Sequence, residues 1–134
     1  MKPAIFLITI SVLAVLLIPV MLNAFAIQGD ASATLKNMTW ETKVNKQVQI
    51  TADVTNGQDR TQPFAYLVQI QNQNGVVVSL SWLTGSLDAG QSLNPSQSWT
   101  PVLAGTYTAQ IFVWESINNP DALSPPLNMV ITVT

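Results

Sequence analysis

The chain changes character near residue 27, and that change limits what it can fold into. Before it, Lys2 precedes an apolar run from Ala4 to Leu22 in which Thr9 and Ser11 are the only polar residues. The run closes on Asn23-Ala24-Phe25-Ala26. Beyond it, apolar and polar residues alternate with period two almost to the end. That period belongs to pleated strands with one face buried. No stretch from residue 34 to 134 carries helical periodicity.

As a helix the amino-terminal run would span about 28 Å at 1.5 Å per residue, close to the hydrocarbon thickness of a bilayer. Two roles fit it. A cleaved signal peptide needs a basic start, an apolar middle and small residues before the cut. Lys2 and Ala24-Phe25-Ala26 supply the ends, which places cleavage after Ala26. The run is longer than an ordinary signal core, so an uncleaved membrane anchor is the alternative. Residues 1–26 are thus expected to be a hydrophobic helix, signal peptide or transmembrane anchor. Residues 27–33 are expected to be a polar linker, and 34–134 the folded domain.

That domain is expected to be all-β with seven strands. They fall at 34–40, 46–55, 64–72, 76–83, 92–99, 106–115 and 127–134, with turn residues between them. Many short strands at this spacing argue for a sandwich. Expected inward positions are Val48, Ile50, Ala52 and Val54; Tyr66, Val68 and Ile70; Val76, Val78, Leu80 and Trp82; Tyr107, Ala109, Ile111 and Val113; and Met129, Ile131 and Val133. Asn74-Gly75 predicts a tight type I′ hairpin. Pro95 should interrupt the weak fifth strand, because it has no N–H to give to a ladder.

Composition removes several functions. There is no Cys and no His, so disulfides, thiolate chemistry and imidazole bases or ligands are excluded. Only 9% of residues are charged, against about 25% in an ordinary domain. Beyond residue 26, four basic residues (Lys36, Lys43, Lys46 and Arg60) face seven acidic ones. Such scattered charge offers nucleic acid no basic footprint. The Ser residues lack a base, and the Gly residues form no phosphate-cradling loop. Asp53, Asp59, Asp88, Glu115 and Asp121 lack the spacing of a calcium loop, and the carboxylates read as turn formers. No catalytic residue, cofactor or metal site is expected.

Several segments resemble a known family. Val48-Gln49-Ile50-Thr51 through Val54-Thr55-Asn56 is similar to the second strand of CARDB-type immunoglobulin-like domains, found in secreted and surface proteins of archaea and bacteria. Leu87-Asp88-Ala89-Gly90-Gln91-Ser92, Trp99-Thr100-Pro101 and Ala104-Gly105-Thr106-Tyr107-Thr108 follow the order of that family's turn, Trp-ended strand and Gly-x-Tyr entry. Phe112-Val113-Trp114-Glu115-Ser116 looks like related secreted domains of ammonia-oxidising archaea. Ala89 stands where the family often has Pro, and the Asp often found at tyrosine corners is missing. The resemblance implies a seven-stranded immunoglobulin-like β-sandwich used for adhesion, presentation or spacing, with Tyr107 in a tyrosine corner.

The candidate interface is an outward apolar stripe made of Leu67, Val77, Phe112 and Trp114, because large exposed apolar patches mark interaction surfaces. Asn37-Met38-Thr39 is a candidate glycosylation sequon at Asn37. The expected role is a non-catalytic secreted or cell-surface binding module with a protein or glycan partner. The alternative is a structural subunit of a surface filament, held in the membrane by the uncleaved helix.

Overall fold

The computed structural model describes residues 6–14 and 39–134. Nine strands form two sheets: β1 (Phe6–Ala14), β2 (Thr39–Thr42), β3 (Val48–Asn56), β4 (Gln62–Asn72), β5 (Val77–Leu87), β6 (Ser92–Leu93), β7 (Ser96–Trp99), β8 (Gly105–Trp114) and β9 (Leu127–Val133). In the smaller sheet β3 pairs antiparallel with β1 along one side and with β6 and β7 along the other. The larger sheet runs β2-β9-β8-β4-β5, antiparallel except for the parallel pair β2 and β9.

The core lies between the sheets and follows the expected alternation in four strands. Val48, Ile50, Ala52 and Val54 of β3 face Tyr66, Val68 and Ile70 of β4, Tyr107, Ala109, Ile111 and Val113 of β8, and Met129, Ile131 and Val133 of β9. The Tyr66 hydroxyl donates to the Ile50 carbonyl at 2.9 Å, joining the two sheets through the core. Burial pushes the ionisation of Tyr66 well above the ordinary phenol range. The Tyr107 hydroxyl donates to the Leu103 carbonyl at 2.8 Å, so the tyrosine corner forms without the Asp. Trp99 meets the Tyr107 ring edge-on, with centroids 4.9 Å apart, at the rim of the core.

Three expectations change. The first concerns the amino terminus. Phe6–Ala14 is a strand, not a helix, and pairs with β3 along its whole length. Phe6 and Ile8 are buried in the core. A continuous apolar run does not distinguish a helix from a strand by periodicity, and Ile8, Thr9, Ile10 and Val12 are β-branched residues that suit a pleat. No helix among the described residues is long and apolar enough to cross a membrane. The proposed cut after Ala26, the 27–33 linker and the sequon Asn37 lie outside the described residues.

The second is strand count. The expected seven become nine because β1 is added and the fifth strand divides at Pro95. Pro95 accepts a hydrogen bond from the Ala52 N–H at 3.1 Å but has none to donate, so the ladder breaks there as the sequence suggested.

The third is the β4–β5 hairpin. Gly75 has φ +77°, but Asn74 is not in the left-handed region, so the turn is not type I′. Instead the Gly75 N–H bonds to the Asn72 carbonyl at 3.0 Å, and the Asn72 N–H bonds to the Val76 carbonyl at 2.9 Å. This is a three-residue loop with Gly in the left-handed position. The Asn72 side-chain oxygen accepts from the N–H groups of Asn74 and Val76 and fixes it. The extra loop residue is compensated by a bulge. Ile70 pairs with Ser79 and Gln71 with Val77, which leaves Val78 over.

Beyond the bulge, Ile70 faces Ser79, Val68 faces Ser81 and Tyr66 faces Leu83. The core side of β5 is therefore Ser79, Ser81 and Leu83. Leu80 and Trp82 point the other way and are 51% and 53% exposed. Val76 and Val78, also expected inside, are exposed. Further along, Phe64 packs on Gly85, where a Cβ would lie 3.1 Å from two ring carbons.

Candidate functional site

The turned register of β5 builds an apolar groove on the outer face of the larger sheet. Residues opposite one another on one face of a sheet are side-chain neighbours. On the outer face of the larger sheet Trp82, Leu67 and Phe112 form one row across β5, β4 and β8. Thr84, Ala65 and Trp114 form the next row. Leu80, Gln69, Gln110 and Asn128 form the row on the other side. Between them lies an open groove of about 350 Å³ lined by Leu67, Gln69, Leu80, Trp82, Phe112, Trp114 and Ile117.

Each wall has a structural cause. Leu67 is the floor. It lies on the outer register, yet it is only 6% exposed because its cross-strand neighbours Trp82 and Phe112 stand over it. Phe112 and Trp114 are two apart on β8 and share a face, their rings tilted by 44° with centroids 5.6 Å apart. Ile117 comes from the loop between β8 and β9. That loop is tied down where it leaves β8: Glu115 N–H bonds to the Asp121 carbonyl at 3.0 Å, and Leu123 N–H to the Val113 carbonyl at 2.8 Å. The Asn119 amide donates to the Glu115 carboxylate at 2.8 Å. One end of the groove has a polar edge. Gln69 donates to Gln110 at 3.1 Å, and beside Gln110 the buried side-chain oxygen of Asn128 has no hydrogen-bond partner among the described residues.

Three of the four stripe residues read from sequence come together here: Leu67, Phe112 and Trp114. Val77 is 47% exposed and opposite Gln71, which places it on the same face beyond the groove. Trp82, Leu80 and Ile117 belong to the groove and were missed. Trp82 and Leu80 were assigned to the core because they are apolar and alternate. Hairpin pairing contained the correction, since a residue across from inward Val68 or Ile70 must itself face inward.

Among the described residues the carboxylates do not assemble a reaction centre, and no three of Asp and Glu approach closely enough to hold an ion. The buried Asn56, a possible partner for Asp59, spends its side chain on loops. Its amide donates to the carbonyls of Arg60, Leu87 and Asp88 at 2.8, 3.0 and 3.2 Å, and its oxygen accepts from the Gln58 N–H at 3.0 Å. Asp53 accepts from the Thr9 hydroxyl at 2.6 Å, and Asp88 from the Thr61 hydroxyl at 3.3 Å.

Comparison with known proteins places these features in context. A family model described as S-layer A-like matches residues 12–133. The crystal structure of the CARDB domain of a Pyrococcus furiosus protein in complex with di-metal ions is similar in fold: TM-score 0.59, 16% identity, 99% of this chain and 90% of that one. The solution structure of the CARDB domain of the same protein gives TM-score 0.57 at 19% identity, over 96% and 95% of the two chains. A β-glucosidase from Listeria innocua gives TM-score 0.58 at 11% identity; the match covers 97% of this chain and 16% of that enzyme. No curated protein matches the sequence. The fold is a CARDB-type immunoglobulin-like sandwich.

Proposed function

Because the chain belongs to the S-layer A-like family, we propose that it is a non-catalytic immunoglobulin-like module of the cell surface that holds a protein or glycan partner in the groove of its larger sheet. One observation carries this reading. Trp82, 53% exposed, stands with Phe112 and Trp114 around a recess that no described residue fills. Exposed aromatic clusters of this kind favour association by burial and by stacking against flat apolar ligand faces. The absence of His and Cys and the scattering of the carboxylates support binding over chemistry.

The test uses purified full chain and isolated cell envelope. Co-sedimentation of the wild type should be saturable. It should fall about tenfold or more when Trp82 and Trp114 are both replaced by Ala, in keeping with the weight such anchors carry. A control with Thr51→Ala on the smaller sheet should bind as the wild type does. Equal binding by the double variant would remove the groove from consideration.

The second reading, a structural subunit of a surface assembly, is favoured by β5, which is an edge strand among the described residues. Whether residues 1–26 are removed, or kept with Phe6–Ala14 paired to β3, is decided by sequencing the amino terminus of the native protein: Ile27 for release, Met1 for retention.

A further inference from the structure

We propose that β5 is a self-pairing edge: two copies of this chain join antiparallel through β5, extending the larger sheet of each into the other. This goes beyond the groove reading and rests on a different observation, the backbone edge and its lack of charge.

Among the described residues β5 ends the larger sheet and pairs only with β4. An edge strand presents unpaired N–H and C=O groups, and proteins ordinarily guard such edges with charges, Pro, short length or bulges. β5 is eleven residues long and has neither charge nor Pro. From Thr61 to Leu87 there is no Lys, Arg, Asp or Glu at all. Its one bulge falls at Val78, beside the hairpin loop, and leaves Ser79–Leu87 regular. The opposite edge of the same sheet is built otherwise: β2 has four residues, includes Glu41 and is followed by Lys43.

A second copy is the occupant that this edge fits. A neutral strand meeting its own copy brings no like charges together, whereas a charged partner strand would find no counter-ion on β5. An antiparallel pair about a two-fold axis is closed and self-complementary, so each backbone edge satisfies the other. The joining also sets the two exposed Trp82–Leu80 flanks beside one another, so two grooves become neighbours across the new seam.

The chain has no cysteine, which makes cross-linking clean. Ser79, Ser81, Thr84 and Ser86 are replaced by Cys one at a time in the full chain, with Thr9→Cys on β1, the edge of the smaller sheet, for comparison. Under mild oxidation, disulfide dimers should concentrate at one or two of the β5 positions, those nearest the two-fold axis. Sedimentation should show wild-type dimers that Ser86→Lys weakens about tenfold or more by like-charge repulsion, with an unchanged far-ultraviolet spectrum to confirm folding. Trp114→Ala should lose envelope binding and keep self-association; Ser86→Lys, outside the groove lining, should do the reverse. A monomeric wild type, equal cross-linking at every position, or cross-linking through Thr9 in place of β5 would overturn the proposal.

Discussion

The two outer faces of this sandwich are built on the same alternation and end in opposite surfaces. On the smaller sheet the outward residues of β3, β6 and β7 are polar, and several bond to one another across strands. Thr9 donates to Asp53 at 2.6 Å, Thr51 to Ser96 at 2.9 Å, and Thr55 and Ser92 share a bond of 2.7 Å. On the larger sheet the outward positions of β4, β5 and β8 carry Leu67, Leu80, Trp82, Phe112 and Trp114. The first face satisfies its own polar groups; the second leaves apolar area in water. In a sandwich whose core is already filled between the sheets, that second face is where contact with other molecules gains most.

The contrast can be broken by substitution. The largest effect is expected at the floor of the groove. Leu67→Ala should cost about 2–4 kcal/mol in urea unfolding, as for a buried leucine, because the residue is covered even though it lies on the outer side. Little change would mean that the aromatic walls do not pack on it. Next comes the bond joining the sheets. Tyr66→Phe removes the donor to Ile50 and should cost about 1–2 kcal/mol. Tyr66 also gives the sandwich an alkaline limit. Its folded ionisation is raised above the ordinary value of 10.0 by burial, so no stability is lost below that pH. Above it the unfolded chain releases the phenolic proton first, and stability falls as pH rises. Ultraviolet titration should find Tyr66 protonated until the fold opens, and Tyr66→Phe should flatten this alkaline decline.

Smaller effects sharpen the comparison. Trp82→Ala should change stability by less than about 1 kcal/mol while removing much of the envelope binding. A loss of several kcal/mol would return Trp82 to the core. Smallest of all, Thr51→Ala on the polar face should stay within about 0.5 kcal/mol by the same unfolding measurement. Its bond to Ser96 is exposed, and water replaces it.

Where alternation coincided with burial, residues alone located the core. Val48 to Val54, Tyr107 to Val113 and Met129 to Val133 were readable because both signals agree there. β5 was misread because they diverge: Leu80 and Trp82 are outside, and Ser79 and Ser81 inside. The inward set of β4 and the hairpin between them held the correction, but only if pairing outranks hydrophobicity. Phe112, Trp114 and Leu67 were found because their strands have unambiguous inner faces. Ile117 had no such signal, since its place depends on the bonds that fold its loop back onto β8. The amino-terminal strand was invisible for another reason. A run apolar at almost every position suits a helix in lipid as well as a strand at a core, and only a partner such as β3 decides between them.

That strand makes opposite demands on one segment. The export address expected from the sequence would be discarded or left behind in lipid, whereas in the fold Phe6 and Ile8 fill the flank of the core beside Asn56 and Val54. A copy trimmed after Ala26 would present the nine backbone positions from Val48 to Asn56 as a slot of fixed length and direction. Maturation of this protein would then be inseparable from the completion of its own interior.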